Sequence, residues 1–119
     1  MNQIFELPKI VIGVPGEWVD RSEIVTSIVK NSGGYLYAGM ILMHIDTKWS
    51  CTLEVYDRDP EMRRAFEIAG GGKLSDSQLT AIDQHTHTLY LSADGGSFDN
   101  ARNIMHAAMA LLQCGGIAV

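Results

Sequence analysis

Cysteine is scarce in this chain. Cys51 and Cys114 stand alone, one in an expected strand and one at an expected helix end, which reads as two reduced core thiols and not a disulfide framework. Basic residues are few as well: 9 Lys and Arg against 14 Asp and Glu leave a net charge of -5. That balance removes the basic surface on which nonspecific nucleic-acid binding rests, while allowing a basic protein partner. No stretch approaches the roughly 18 uninterrupted apolar residues of a spanning helix, so no membrane partner is expected. Met1-Asn2-Gln3-Ile4-Phe5 lacks the positive and apolar regions of a secretory signal, and the expected compartment is the cytoplasm.

What is present is a globular composition, 46% apolar and 19% charged over 119 residues, enough for one domain spanning 1–119. Lys9-Ile-Val-Ile-Gly-Val14 is a β-branched run closed by Pro15-Gly16, an expected first strand. Asp20 with Glu23 opens a helix that stops at Gly33-Gly34. The apolar run 35–45 predicts one long second strand, and 51–56 a third, joined by a hairpin. Asp59-Pro60 starts a second helix that ends at Gly70-Gly71-Gly72, and Ser75-Asp76-Ser77-Gln78 is a capping box for a short one. The stretch 86–92 returns as a fourth strand, and Asp94-Gly95-Gly96-Ser97 leads into a broad apolar helix with Ile104, Met105, Ala108, Met109 and Leu111 inward.

This order predicts an α+β fold, a ferredoxin-like β-α-β-β-α-β sandwich extended by a C-terminal helix and a short strand. The first and fourth strands are expected to be parallel neighbours at the sheet centre; a doubly wound α/β sheet is the alternative. Ile117-Ala118-Val119, after the Gly115-Gly116 helix stop, reads as a strand cut short, so the chain is expected to be truncated at its C-terminus.

Three groups of residues stand out. Along 35–45 both sides are apolar, and Tyr35, Tyr37, Ile41, Met43 and Ile45 form the row expected on the uncovered sheet face, an interface for another surface. Its cover is the chain's own N-terminus with Ile4, Phe5 and Leu7, a second copy, or the missing C-terminal portion. His85 and His87, two apart on a strand, have the spacing of a shared metal ion, with Asp83 and His44 as further donors; the plainer reading is a hydrogen-bonded structural histidine. Arg21, Ser22, Gly95, Gly96 and Ser97 border two glycine turns feeding helix N-termini, a geometry suited to a phosphate or carboxylate if the strands are parallel. Plain capping turns are the simpler account, because neither turn is a phosphate-binding fingerprint. Trp18 and Trp49, in expected loops, either anchor a partner or pack over the core rim. No cofactor is called for, and no nucleophile has a readable context.

The segments 33–40, 83–91 and 107–119 resemble a family of uncharacterised bacterial proteins. The resemblance implies continuation past Gly115-Gly116 into a longer strand and a further C-terminal portion, and it supplies no activity. Together these features point to a bacterial protein-interaction or assembly module, accessory or toxin-neutralising, that binds a protein partner, its own missing portion or a second copy. The alternative is a small-anion-binding domain or a metal-dependent enzyme using His85 and His87.

Overall fold

The structure, a computed structural model, describes residues 8–119. The elements are β1 (Lys9–Gly16), α1 (Arg21–Asn31), β2 (Tyr35–Ala38), β3 (Ile41–His44), β4 (Ser50–Asp57), α2 (Met62–Gly70), α3 (Asp76–Asp83), β5 (His87–Asp94) and α4 (Phe98–Leu112). The fold is α+β. One five-stranded sheet runs in the order β1-β5-β4-β3-β2, and every neighbouring pair is antiparallel.

Helix starts follow local chemistry. Asp20 accepts a hydrogen bond from the Glu23 N–H at 2.9 Å, and the Glu23 carboxylate reaches back to the Val19 N–H. Ser75 and Gln78 form both halves of a capping box ahead of α3. Ser97 caps α4 by accepting from the Asn100 N–H. At α2 the expected proline start is displaced: Asp59 accepts from the Glu61 N–H in a preceding turn, and the helix begins at Met62. It stops at Gly71, whose φ of 56° is left-handed.

The expected long strand 35–45 is two strands. Gly39, at φ 60°, and Met40 form a two-residue hairpin turn that sets Ala38 against Ile41 and Tyr37 against Leu42. A side chain's face depends on parity, so the turn reverses which parity points to the core. The inward set is Tyr35, Tyr37 and Leu42; the outward set is Leu36, Ala38, Ile41 and Met43.

The main core lies between one sheet face and α1 and α4. Val14, Leu42, Leu53, Leu89 and Leu91 from the sheet meet Ile24, Ile28, Ile104 and Leu111 from the helices, all essentially inaccessible. Burial of this kind contributes on the order of 1.5–3 kcal/mol per large side chain. Met62, Leu79 and Ile82 are buried outside that cluster, where α2 and α3 pack on each other.

The parallel arrangement expected for the first and last long strands is overturned. They are adjacent, but antiparallel, in a register that aligns Ile12 with Leu91 and Val14 with Leu89 on the core face. β1 is not central either. It lies at the sheet edge, where Pro15 has no N–H to give a neighbour. The ferredoxin-like order, with the first strand inside the sheet, is therefore not what the pairing gives. Past α4, the expected terminal strand is reduced to a single antiparallel bridge, Gly16 to Gly116.

Thr88 is fully buried, and its hydroxyl has no hydrogen-bond partner among the described residues. Removing a buried, unpaired hydroxyl at constant shape relieves a desolvation penalty. Thr88→Val is expected to stabilise the fold by about 1 kcal/mol. A urea midpoint that falls instead would show that the hydroxyl is bonded.

Candidate functional site

The sheet face opposite α1 and α4 is assembled by cross-strand register. Val11 pairs with Ser92, Gly13 with Tyr90, Glu54 with Tyr90 and Thr52 with Ile41, so these residues share one side. The alternation expected in the third strand holds: Cys51 and Leu53 face the core, and Thr52, Glu54 and Tyr56 face away. The result is an apolar surface open to solvent among the described residues, with Val11 61%, Tyr56 51%, Ile41 48% and Leu36 38% exposed. Large side chains left in contact with water at this density mark an interaction surface more often than an inert one.

Part of the face is shaped. Val11, Glu54, Tyr56, Tyr90 and Ser92 line a shallow depression of about 360 Å³. The Tyr90 ring covers Gly13 so closely that a Cβ there would sit 3.0 Å from it. Tyr56 meets Tyr90 edge to face at 5.3 Å between centroids, and its hydroxyl donates to the Glu54 carboxylate at 2.6 Å. That hydrogen bond and the carboxylate's charge raise the Tyr56 pKa, so the phenol stays protonated. Two aromatic rings and one carboxylate are thus held in fixed positions within the depression.

The expected interface row divides. Ile41 and Met43 are on the helix-free face, and Ile45 is exposed just past β3. Tyr35 and Tyr37 are corrected: they are buried on the core side, because the turn at Gly39 reverses parity. The Tyr37 hydroxyl donates to the Leu53 carbonyl at 3.1 Å, and burial raises its pKa against the opposing pull of Arg21. The face also holds Val11, Leu36 and Tyr90, which the sequence pattern does not single out; for Leu36 the signal is Gly39, a break inside an apolar run. The suggested N-terminal cover of Ile4, Phe5 and Leu7 lies outside the described residues.

The anion site does not assemble. With β1 and β5 antiparallel, Arg21 and Ser22 follow the end of β1 that lies beside His87, while Gly95, Gly96 and Ser97 follow the opposite end of β5. Seven strand residues separate those ends, roughly 23 Å. The donors are also engaged. The Arg21 guanidinium bonds the Gly39 carbonyl and lies 4.7 Å over the Tyr37 ring, the Gly95 N–H donates to the Pro8 carbonyl, and the Ser97 hydroxyl caps α4.

The two histidines do not share an ion site. His85 is buried in the turn before β5; its Nε2 accepts from the Asp59 N–H at 3.0 Å, so the proton lies on Nδ1, facing the Ile82 carbonyl. Both ring nitrogens are used. His87 opens β5 with Nδ1 3.0 Å from the Thr86 hydroxyl. Asp83 is paired with Arg58 at 3.0 Å, and His44 Nδ1 accepts from the Asp46 and Thr47 N–H groups. Among the described residues no group of His, Cys, Asp and Glu side chains has the geometry to hold a metal. Burial pushes the Cys51 thiol up to about 12 and the Cys114 thiol up to about 11, which keeps both neutral and poorly nucleophilic.

The tryptophans settle on packing. Trp18 is 4% exposed, and its indole donates to the Cys114 carbonyl at 2.8 Å; the half-buried Trp49 donates to Asn100. Met105 and Met109, expected inward on α4, are exposed, because Ile104, Ala107, Ala108 and Leu111 fill the helix face toward the sheet. No helix among the described residues is long and apolar enough to cross a membrane. Comparison with protein-family models, with curated proteins and with solved structures gives no match.

Proposed function

We propose that this chain is a noncatalytic protein-interaction module that presents the helix-free face, the open part of the sheet face opposite α1 and α4, to a protein partner; the buried Thr88 marks where that face is covered. The observation that carries the reading is the set of exposed large side chains Val11, Tyr56, Ile41 and Leu36 on that face, spread from β1 to β2 with Ser92 and Thr52 between them. Glu54 is the charged group within the depression beside Tyr56 and Tyr90, so the matching surface is apolar with a basic residue opposite it. The chain's net charge of -5 favours the same sign of partner. Resemblance to an uncharacterised bacterial family is compatible with an accessory or assembly role and adds no reaction.

The face is tested by binding of 1-anilinonaphthalene-8-sulfonate, a probe of exposed apolar surface. The folded protein is expected to enhance the dye's fluorescence, with amide shifts in NMR spectra centred on Val11, Ile41 and Tyr56. Ile41→Lys and Tyr56→Lys should each reduce the enhancement severalfold while leaving the circular dichroism unchanged. Dye binding that ignores both substitutions would remove the face as the interaction surface.

A further inference from the structure

The two edges of the sheet differ. At β2, the Ser32 hydroxyl accepts from the Tyr35 N–H at 3.0 Å and lies 3.4 Å from the Tyr35 carbonyl, which leaves Tyr37 as the one outward-facing residue of that short strand without a main-chain partner among the described residues, against three on β1. β1 is the open edge. In an antiparallel ladder, successive residues point their main-chain groups alternately to either side. The carbonyls of Pro8 and Gly16 accept from Gly95 and Thr86, which turns the even-numbered residues toward β5. The Pro15 carbonyl accepts from the Ile117 N–H, and the Glu17 N–H donates to Gly115, which turns the odd-numbered residues outward. Bonding from the C-terminal segment stops there, short of Gly13. Lys9, Val11 and Gly13 therefore face outward with no main-chain partner among the described residues.

These positions are symmetric about Val11. A second copy laid antiparallel along this edge by a two-fold rotation sets Val11 against its own counterpart and Lys9 against the second copy's Gly13. Each is a hydrogen-bonded pair that exchanges both N–H···O bonds, so every idle donor and acceptor of the stretch is used. The side chains agree with that register. The Lys9 ammonium meets a glycine instead of its own twin, avoiding a like-charge contact. On the helix side, half-buried Ile10 falls opposite the second copy's Ile12; on the other face, the 61% exposed Val11 packs against itself.

We propose that the protein self-associates through β1, edge to edge about a two-fold axis at Val11, joining two five-stranded sheets into one. Such an isologous contact closes on itself and removes the unpaired edge that would otherwise template open-ended pairing. The edge is made of main-chain groups and shares only the Val11 side chain with the interaction face, so the inference goes beyond the reading above; Ile41→Lys, which tests that face, leaves β1 untouched.

The test uses Val11→Cys. Opposed residues in a hydrogen-bonded antiparallel pair have Cα atoms about 5.5 Å apart, within the roughly 4.4–6.8 Å span of a disulfide. Mild oxidation is expected to convert Val11→Cys to a covalent dimer, whereas Ile41→Cys, on the helix-free face, stays monomeric on a nonreducing gel. The buried native thiols of Cys51 and Cys114 do not compete. Val11→Glu places two carboxylates against each other at the axis and should weaken self-association in sedimentation by about tenfold or more, with an unchanged circular dichroism spectrum. A wild-type protein that is monomeric at high concentration overturns the proposal, as does a dimer that survives Val11→Glu. Crosslinking through Ile41→Cys in place of Val11→Cys overturns it in favour of face-to-face stacking, leaving the interaction face itself intact.

Discussion

Trp18→Ala is expected to lower the stability of the fold by about 3–5 kcal/mol, the range for deleting a large buried aromatic. The ring does more than fill space. Its indole N–H donates to the Cys114 carbonyl, which also accepts from the Ser27 hydroxyl at 2.8 Å, so the turn after α4 is tied to both the β1–α1 connection and α1. Its six-membered ring lies over Gly16, where an added Cβ would fall 2.2 Å away, and its indole nitrogen would lie 2.8 Å from a Cβ on Gly115. Glycine at both positions is what lets the tryptophan seat between the strand end and the C-terminal turn. Trp18→Phe should separate the contributions: it keeps most of the packing and loses the hydrogen bond, at a cost of about 1 kcal/mol from the bond. Urea denaturation reads both, as a lower midpoint with an unchanged slope. If phenylalanine costs as much as alanine, the ring's fit and not its burial governs the site.

His85→Leu is expected to cost about 1–3 kcal/mol even though leucine fills a similar volume. The imidazole joins two segments distant in sequence: it accepts from the Asp59 N–H ahead of α2 and faces the Ile82 carbonyl at the end of α3. Leucine leaves the Asp59 N–H without its acceptor in a site the imidazole occupies at 1% exposure, while the Ile82 carbonyl keeps the backbone N–H of residue 85. The same experiment distinguishes a structural histidine from a ligand. With both ring nitrogens engaged, the wild-type midpoint should be indifferent to a strong chelator, and the loss in His85→Leu should be the same with or without it. A chelator that destabilises only the wild type would return this histidine to metal chemistry.

Features set within a few residues of sequence were legible. Asp20, Ser75 and Ser97 cap the helices they were expected to cap, and Gly71 ends α2, because each depends on a side chain reaching a backbone group one turn away. The solvent side of β4 was legible for the same reason, since Thr52, Glu54 and Tyr56 alternate with Cys51, Leu53 and Val55. The run 35–45 was not. Apolar residues at both parities gave no sign of which side was inward, and only a left-handed glycine at position 39 marked the reversal that buries Tyr35 and Tyr37 and exposes Leu36. Met105 and Met109 failed differently: α4 is apolar over more of its circumference than the sheet can cover.

The sequence by itself determined the class of the fold, most of the helix caps and stops, and the presence of apolar residues on both sides of the sheet, because hydrophobic pattern and capping act locally. Only the tertiary structure decided the direction in which β5 lies against β1, and with it the separation of Arg21 from Gly95. It also decided which half of 35–45 faces out and which edge of the sheet is left open. These are choices that local pattern leaves open, and they are resolved by register and packing between segments far apart in the chain.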